Sequence, residues 1–203
     1  MKTFIFACMV AVFLTISVTA KGLEIYNSGE YEPISSYVGD TISIDESPPL
    51  PFPDPGTHVE ALPGGYIDGA VYLYNVSRFS LNGGSVDGRI LAHDNSLVDI
   101  MSGIITPPDE HTFFAYENSL IRFYGTDFSV DGKSVSYGDS LKDYVEFNGT
   151  FYGGTTITGK LMDGNTISGK FYIYNNADMV VIPEPCTLML LCLGGLIIRK
   201  HEN

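Results

Sequence analysis

Between residues 77 and 125 the apolar residues fall on alternate positions, in short runs that end at glycine. The runs Ser77-x-Phe79-x-Leu81-x-Gly83-Gly84, Ser96-x-Val98-x-Ile100-x-x-Gly103 and Ser119-x-Ile121-x-Phe123-x-Gly125 can be laid over one another. A period of two puts the apolar side chains on one face of a strand, and the spacing predicts a turn at each glycine. Tyr74-Asn75, Asp94-Asn95 and Glu117-Asn118 precede the three serines, which lie 19 and 23 residues apart. That interval matches one coil of a parallel β-helix. Gly64-Gly65-Tyr66-Ile67-Asp68-Gly69 and Gly83-Gly84-Ser85-Val86-Asp87-Gly88 are a second echo at a similar interval. The expected fold is all-β: a short parallel β-helix whose inward residues stack coil on coil. An antiparallel β-sandwich is the alternative reading of the same strands.

Two segments flank this pattern. Residues 45–63 hold six of the eleven prolines, and proline donates nothing to a ladder, so the expectation is an extended loop. Residues 157–162, then Asp163-Gly164, then residues 165–174 read as a β-hairpin with Asp-Gly at its turn. This hairpin is expected to lie across the last coil and cap it.

The two ends of the chain follow other rules. Lys2 is followed by an unbroken apolar run from Phe4 to Leu14, and Val18-Thr19-Ala20 closes the segment with small residues. The run is short for a bilayer span, so residues 1–20 read as a secretory signal cut by signal peptidase after Ala20. Residues 21–182 are then the exported β-rich domain, and residues 183–203 form a tail in three parts. Pro183-Glu184-Pro185 is an extended strip, because each proline locks its own φ and restricts its predecessor. Leu188 to Ile198 is an apolar stretch interrupted by Gly194-Gly195, and Arg199-Lys200 supplies cations that hold such a segment at the cytoplasmic side. A GPI-type signal would need small residues and a polar spacer, and a Leu-Pro-x-Thr-Gly wall signal is absent. A buried C-terminal helix would be weakened by Gly194-Gly195.

Pro183-Glu184-Pro185, Thr187, the Leu-rich run with Leu193-Gly194-Gly195-Leu196, and Arg199-Lys200 resemble the PEP-CTERM sorting signal. The resemblance covers about the last twenty residues. It departs from the family in ending on two cations where an Arg-rich group is common. It implies transient membrane anchoring by the tail and recognition by exosortase, a membrane cysteine peptidase that removes it. It also implies a bacterium with an exopolysaccharide matrix, so the expected location is the cell surface or extracellular matrix, with exopolysaccharide as a neighbour.

Charge and chemistry narrow the rest. A net charge of −13 argues against nucleic acid, which requires a basic stripe. Cys8, Cys186 and Cys192 all lie in the apolar ends, so the middle has no disulfide, thiol nucleophile or Cys-based metal site. His58, His93 and His111 stand apart, with no His-Glu-x-x-His or Gly-x-Ser-x-Gly motif. Asn75-Val76-Ser77 and Asn148-Gly149-Thr150 match the N-glycosylation pattern, which in a bacterial reading is coincidence. The one acidic group of interest is Asp87, Asp94 and Asp99, with His93 and Arg89 nearby. On one edge of a β-helix these carboxylates would supply part of a Ca²⁺ shell beside a polysaccharide. The plainer reading is turn-forming Asp with solvated charge. The expectation is a non-enzymatic surface protein with no cofactor; the alternative is a polysaccharide-binding or polysaccharide-cleaving protein on the same sorting route.

Overall fold

The structure, a computed structural model, describes residues 23–27, 29–45, 56–107 and 109–184. Residues 1–20, most of the Pro-rich segment and the tail from residue 185 onward lie outside the described residues. The described chain is all-β, and its single helical turn is a 3-10 turn at Leu141–Tyr144. The strands are β1 (Leu23–Tyr26), β2 (Tyr31–Ile34), β3 (Tyr37–Val38), β4 (Thr41–Ile44), β5 (His58–Ala61), β6 (Tyr66–Ile67), β7 (Val71–Leu73) and β8 (Arg78–Val86). They continue with β9 (Ile90–Ala92), β10 (Leu97–Ile105), β11 (His111–Ala115), β12 (Leu120–Val130), β13 (Lys133–Ser134), β14 (Tyr152–Leu161), β15 (Thr166–Ile173) and β16 (Asp178–Ile182).

Strands that follow one another in sequence mostly do not pair. Instead β2, β5, β8, β10, β12 and β16 form one parallel ladder. β3, β6 and the end of β8 form a second, and β10 continues it through Ile104 and Ile105. β1, β4, β7, β9, β11 and β15 form the third. The chain visits the three ladders in the same order on each of its first four passes. The hydrogen-bonded path runs through twelve strands from β1 to β2, neighbours along the chain, so the sheet nearly closes like a barrel. An antiparallel sandwich does not fit these ladders. Among the described residues antiparallel strand pairing is limited to β12 with β13 and β14, and β14 with β15.

The register matches the superposed runs. Phe79 pairs with Val98, and Val98 with Ile121; Leu81 pairs with Ile100, and Ile100 with Phe123. Each of these side chains is fully buried, as are Val59 and Ala61 below them and Met179 and Val181 above. The third ladder stacks Ile42, Val71, Ile90, Phe113 and Phe171 in the same manner. Alternation inside a strand chooses the face, and parallel pairing sets like faces one above another.

Three expectations change. The Pro-rich loop is shorter than residues 45–63, because Val59 and Ala61 alternate inward and make β5 between Pro55 and Pro63. The glycines are bends within continuous strands rather than strand ends. At Gly125 (φ +154°) a Cβ would lie 1.9 Å from the Lys160 carbonyl oxygen, and there β12 leaves the first ladder to pair with β14. The β14–β15 hairpin is part of the sheet, with β15 parallel to β11 and β14 antiparallel to β12, rather than a lid over its end.

The end beside β16 is covered by other residues. Gly138 N–H donates to the Val181 carbonyl at 2.8 Å, Ser140 bridges Val180, and Leu141 is fully buried. Ser140 Oγ donates to Asp178 Oδ1 at 2.5 Å.

Corners between the third and first ladders also repeat. Asn75, Asp94, Glu117 and Asn175 all have φ between +55° and +57°. Each lies in a turn in which the residue two further on donates back: Ser77 to Tyr74, Ser96 to His93, Ser119 to Tyr116 and Ala177 to Tyr174. The three serines are buried, yet they differ in their bonding. Ser77 Oγ donates to the Tyr74 and Ile44 carbonyls. Ser119 Oγ donates to the Ala92 carbonyl and accepts from Tyr116 N–H. Ser96 Oγ has no partner. Ser119→Ala removes two side-chain bonds while the Tyr116 N–H still donates to the Ala92 carbonyl at 2.9 Å, and is expected to cost about 0.5–1.5 kcal/mol. Ser96→Ala removes an unpaired hydroxyl and is expected to change stability by about zero or to raise it. Urea unfolding of both variants checks the contrast; an equal loss in both would refute it.

Candidate functional site

The outward positions of the first ladder bring together polar side chains that lie far apart in sequence. Asp99, in the middle of β10, points outward yet is only 1% exposed. Arg78, from the pass before, donates to Asp99 Oδ2 from Nε at 3.0 Å and from Nη2 at 2.5 Å. Arg122, from the pass after, donates from Nε to Oδ1 at 2.6 Å and from Nη2 to Oδ2 at 2.9 Å. Tyr124 O–H donates to Oδ1 at 3.1 Å, and the Arg122 guanidinium lies over the Tyr124 ring. Burial pushes the Asp99 carboxyl up, but the two guanidiniums outweigh it and hold it below the usual carboxylate range. The bond to Asp99 raises Arg122 in turn. Arg78 and Arg122 keep further N–H donors, and their side chains are 41% and 27% exposed.

The network continues toward β2. His58 Nε2 and Ser80 Oγ are 2.9 Å apart, and the Tyr31 ring meets the His58 ring edge-on. Burial first, and the Arg78 charge second, lower the His58 pKa. Tyr31 O–H donates to Glu60 Oε2 at 2.5 Å, and Asn82 Nδ2 donates to Oε1 at 2.9 Å. Ser80 is 2% exposed, so its hydroxyl serves the His58 bond rather than facing a substrate. The arrangement is a row of guanidinium, hydroxyl, amide and ring groups across five strands, rich in hydrogen-bond donors.

The predicted acidic group does not assemble. Asp87 accepts from Tyr66 O–H, Asp94 accepts from Asn75 N–H, and Asp99 is held by arginines. Arg89 pairs with Asp109 instead. His93 is stacked between Tyr74 and Tyr116, with ring centroids 5.1 and 4.4 Å away. Among the described residues no group of three or more His, Cys, Asp or Glu could hold a metal ion. Sequence reading missed Arg78, Ser80, Arg122 and Tyr124, although each is an outward polar residue in the same alternating runs, and it left His58 in the Pro-rich loop, apart from them. That signal was present, but only the register says which of them meet.

The Tyr74–His93–Tyr116 stack continues to Tyr174 at 4.6 Å, so ring faces along this column meet one another. It braces the corners rather than offering open faces for a sugar to lie on.

The tail begins without a spacer. Pro183 and Glu184 directly follow β16, both half-buried. Pro185, Arg199 and Lys200 of the expected sorting signal, and Ala20 of the expected first cut, lie outside the described residues. Among the described residues no helix is long and apolar enough to cross a membrane; the apolar run 188–198 lies outside them. A scan against models of known families, a search of curated proteins and a search of solved structures each found no match.

The pKa directions set a pH dependence. Asp99 is held low, so its contribution is present above about pH 4, the ordinary carboxylate value, and is lost as pH falls through the lower folded-state value. His58 is also held low, so the unfolded chain takes up its proton first, and stability falls as pH drops below about 6.5. Thermal midpoints are expected to fall from pH 7 to pH 4 and below. Asp99→Asn is expected to cost about 2–3 kcal/mol at pH 7, the scale of bonds to a charged group, and to flatten the acid side of the curve. A variant curve parallel to the wild type at acid pH would refute the assignment.

Proposed function

We propose that the chain is an exported cell-surface or extracellular-matrix protein, cut by signal peptidase after Ala20 and sorted by exosortase at Pro183-Glu184-Pro185. The observation that carries this reading is the order of the tail: extended Pro-Glu-Pro strip, Leu-rich run with Gly194-Gly195, then Arg199-Lys200. The exit of the strip straight from β16 is compatible with it, because the strip then follows the folded domain directly. The domain between the cuts is read as a short parallel β-helix. The three parallel ladders and the fixed order of visiting them support that reading. Its role is structural and non-enzymatic, in contact with the exopolysaccharide of the matrix and without nucleic acid or a cofactor.

A second reading, polysaccharide binding, is favoured by the outer face around Arg78, Asp99 and Arg122. Paired guanidiniums with spare donors next to Tyr and Asn side chains are suited to sugar hydroxyls and carboxylates. Co-sedimentation with purified exopolysaccharide separates the two: a polysaccharide binder loses retention in Arg78→Gln that circular dichroism shows to be folded, and a purely structural protein is unaffected.

The sorting reading has its own test. Glu184 is the only charge from Val180 to Ile198, and a peptidase at the membrane face can pair it with a cation while gripping the proline-fixed backbone. Glu184→Ala or Pro185→Ala is expected to leave export intact while an unprocessed form accumulates in the membrane. Replacing Arg199 and Lys200 with Gln is expected to reduce retention before the cut. Tail length and location are compared by mass spectrometry and fractionation in hosts with and without exosortase. Equal processing in both hosts would sink the sorting assignment.

A further inference from the structure

The sorting strip starts at the residue after β16, and this places a limit on where the folded domain can be while the tail is in a bilayer. From Glu184 to Leu188, where the apolar run begins, there are four residues. A chain spans at most about 3.6 Å per residue, so Glu184 stays within about 14 Å of the hydrocarbon edge, whatever path those residues take. The headgroup layer on one side of a bilayer is itself about 5–8 Å deep. The end of the domain beside β16 therefore has almost no room to stand clear of the lipid.

That end carries exposed aromatic residues. Tyr137, 46% exposed, precedes Gly138, whose N–H is bonded to the Val181 carbonyl, so Tyr137 is next to the point where the chain leaves β16. Phe147, 55% exposed, belongs to the same covering segment and leans on Tyr152, with ring centroids 4.9 Å apart. Beneath them Leu141 is buried against the core, and Tyr144 O–H donates to Asp139 Oδ2 at 2.7 Å, so the segment is held and not loose. Tyrosine and other aromatic rings are the side chains that settle at a bilayer–water boundary. The charged side chains of this segment are Asp139, Lys142, Asp143 and Glu146, a net charge of −2. Contact with lipid is accordingly made by rings, and anionic headgroups oppose it.

We infer that the end of the β-domain formed by residues 136–147 docks on the lipid headgroup layer through Tyr137 and Phe147 as long as the tail is in the membrane. The inference rests on the sorting-tail reading and adds the orientation of the domain. The opposite end, with β2 and β3, points away from the bilayer. Six strands of the first ladder at about 4.8 Å spacing put it roughly 24 Å further out. Removal of the tail releases the contact, because two rings without a tether are too small an anchor.

The chain contains no tryptophan, so single reporters are available. Tyr137→Trp and, as a control at the far end, Tyr37→Trp (61% exposed in the wild type) are made in the chain from Lys21 to Asn203, the form that the first cut leaves. Both are reconstituted into phosphatidylcholine vesicles with brominated acyl chains, and circular dichroism confirms the fold. Phe147→Trp serves as a second reporter if Tyr137→Trp fails to fold. The expected result is loss of emission at position 137, relative to unbrominated vesicles, and unchanged emission at position 37. A Gly-Ser insert of about twelve residues between Glu184 and Pro185 adds roughly 19 Å of reach and is expected to restore the emission. Adding phosphatidylglycerol at low salt is expected to reduce the quenching at position 137, and salt to bring it back. Vesicle-bound chain with no quenching at positions 137 and 147, or quenching equal to that at position 37, overturns the docking while leaving the tail reading intact. Chain that does not float with the vesicles overturns both.

Discussion

Stacking of like on like across passes is the constraint on which this molecule depends. Val59, Phe79, Val98, Ile121 and Met179 occupy one inward column, and a slip of one residue in any strand would turn that column toward water. The corner turns keep the register. Asn75, Asp94, Glu117 and Asn175 take the same left-handed conformation, which Asn and Asp tolerate and Glu adopts at a cost. Asn95 N–H bonds to the Asn75 carbonyl and Asn118 N–H to that of Asp94, so each corner is tied to the previous one. With no cysteine between the two ends of the chain, burial and backbone pairing must supply the stability.

A stack of this kind exposes two edges, and both are finished. At the β16 edge residues 136–145 take up the backbone groups and place Leu141 over the core. At the other edge the inward columns of the third ladder begin with Glu24 and Tyr26, whose hydroxyl donates to Glu24. The first ladder begins with Glu32 in line with Val59. Charged residues in inward positions are unfavourable to another strand docking there. His58 N–H bonds to the Glu30 carbonyl and Leu62 N–H to that of Ile34, so residue 33 points its amide position to the open side. Pro33 has no N–H to offer there, which again weakens edge-to-edge pairing.

The outer face of the first ladder follows a different logic from the core. Asp99 loses water and is compensated by two arginines, each from an adjacent pass, so the cluster binds three strands together. Removing Asp99 leaves two guanidiniums without their carboxylate, and removing either arginine leaves the buried Asp99 with one cation in place of two, which makes the cluster a stability element whatever it binds. The same face retains donors that the carboxylate does not use, and these are what a polymer of hydroxyl and carboxylate groups would meet.

The amino-acid sequence by itself determined the strands between residues 77 and 125, their inward residues, and the interval at which they repeat. Alternation and glycine are local properties, and Phe79, Val98 and Ile121 announce their face without reference to the rest of the chain. The Asp163-Gly164 hairpin was legible for the same reason. Which strands pair was decided only in three dimensions. Gly125 reads as the end of a strand, yet close approach to the Lys160 carbonyl makes it the bend where β12 changes partners. Asp87, Asp94 and Asp99 look like one group because they are near in sequence. A pass of about twenty residues sends them to different sides of the stack, and it brings Arg78 and Arg122 to Asp99 from 21 and 23 residues away. Contacts between passes depend on register, which is set by the whole column and not by any one segment.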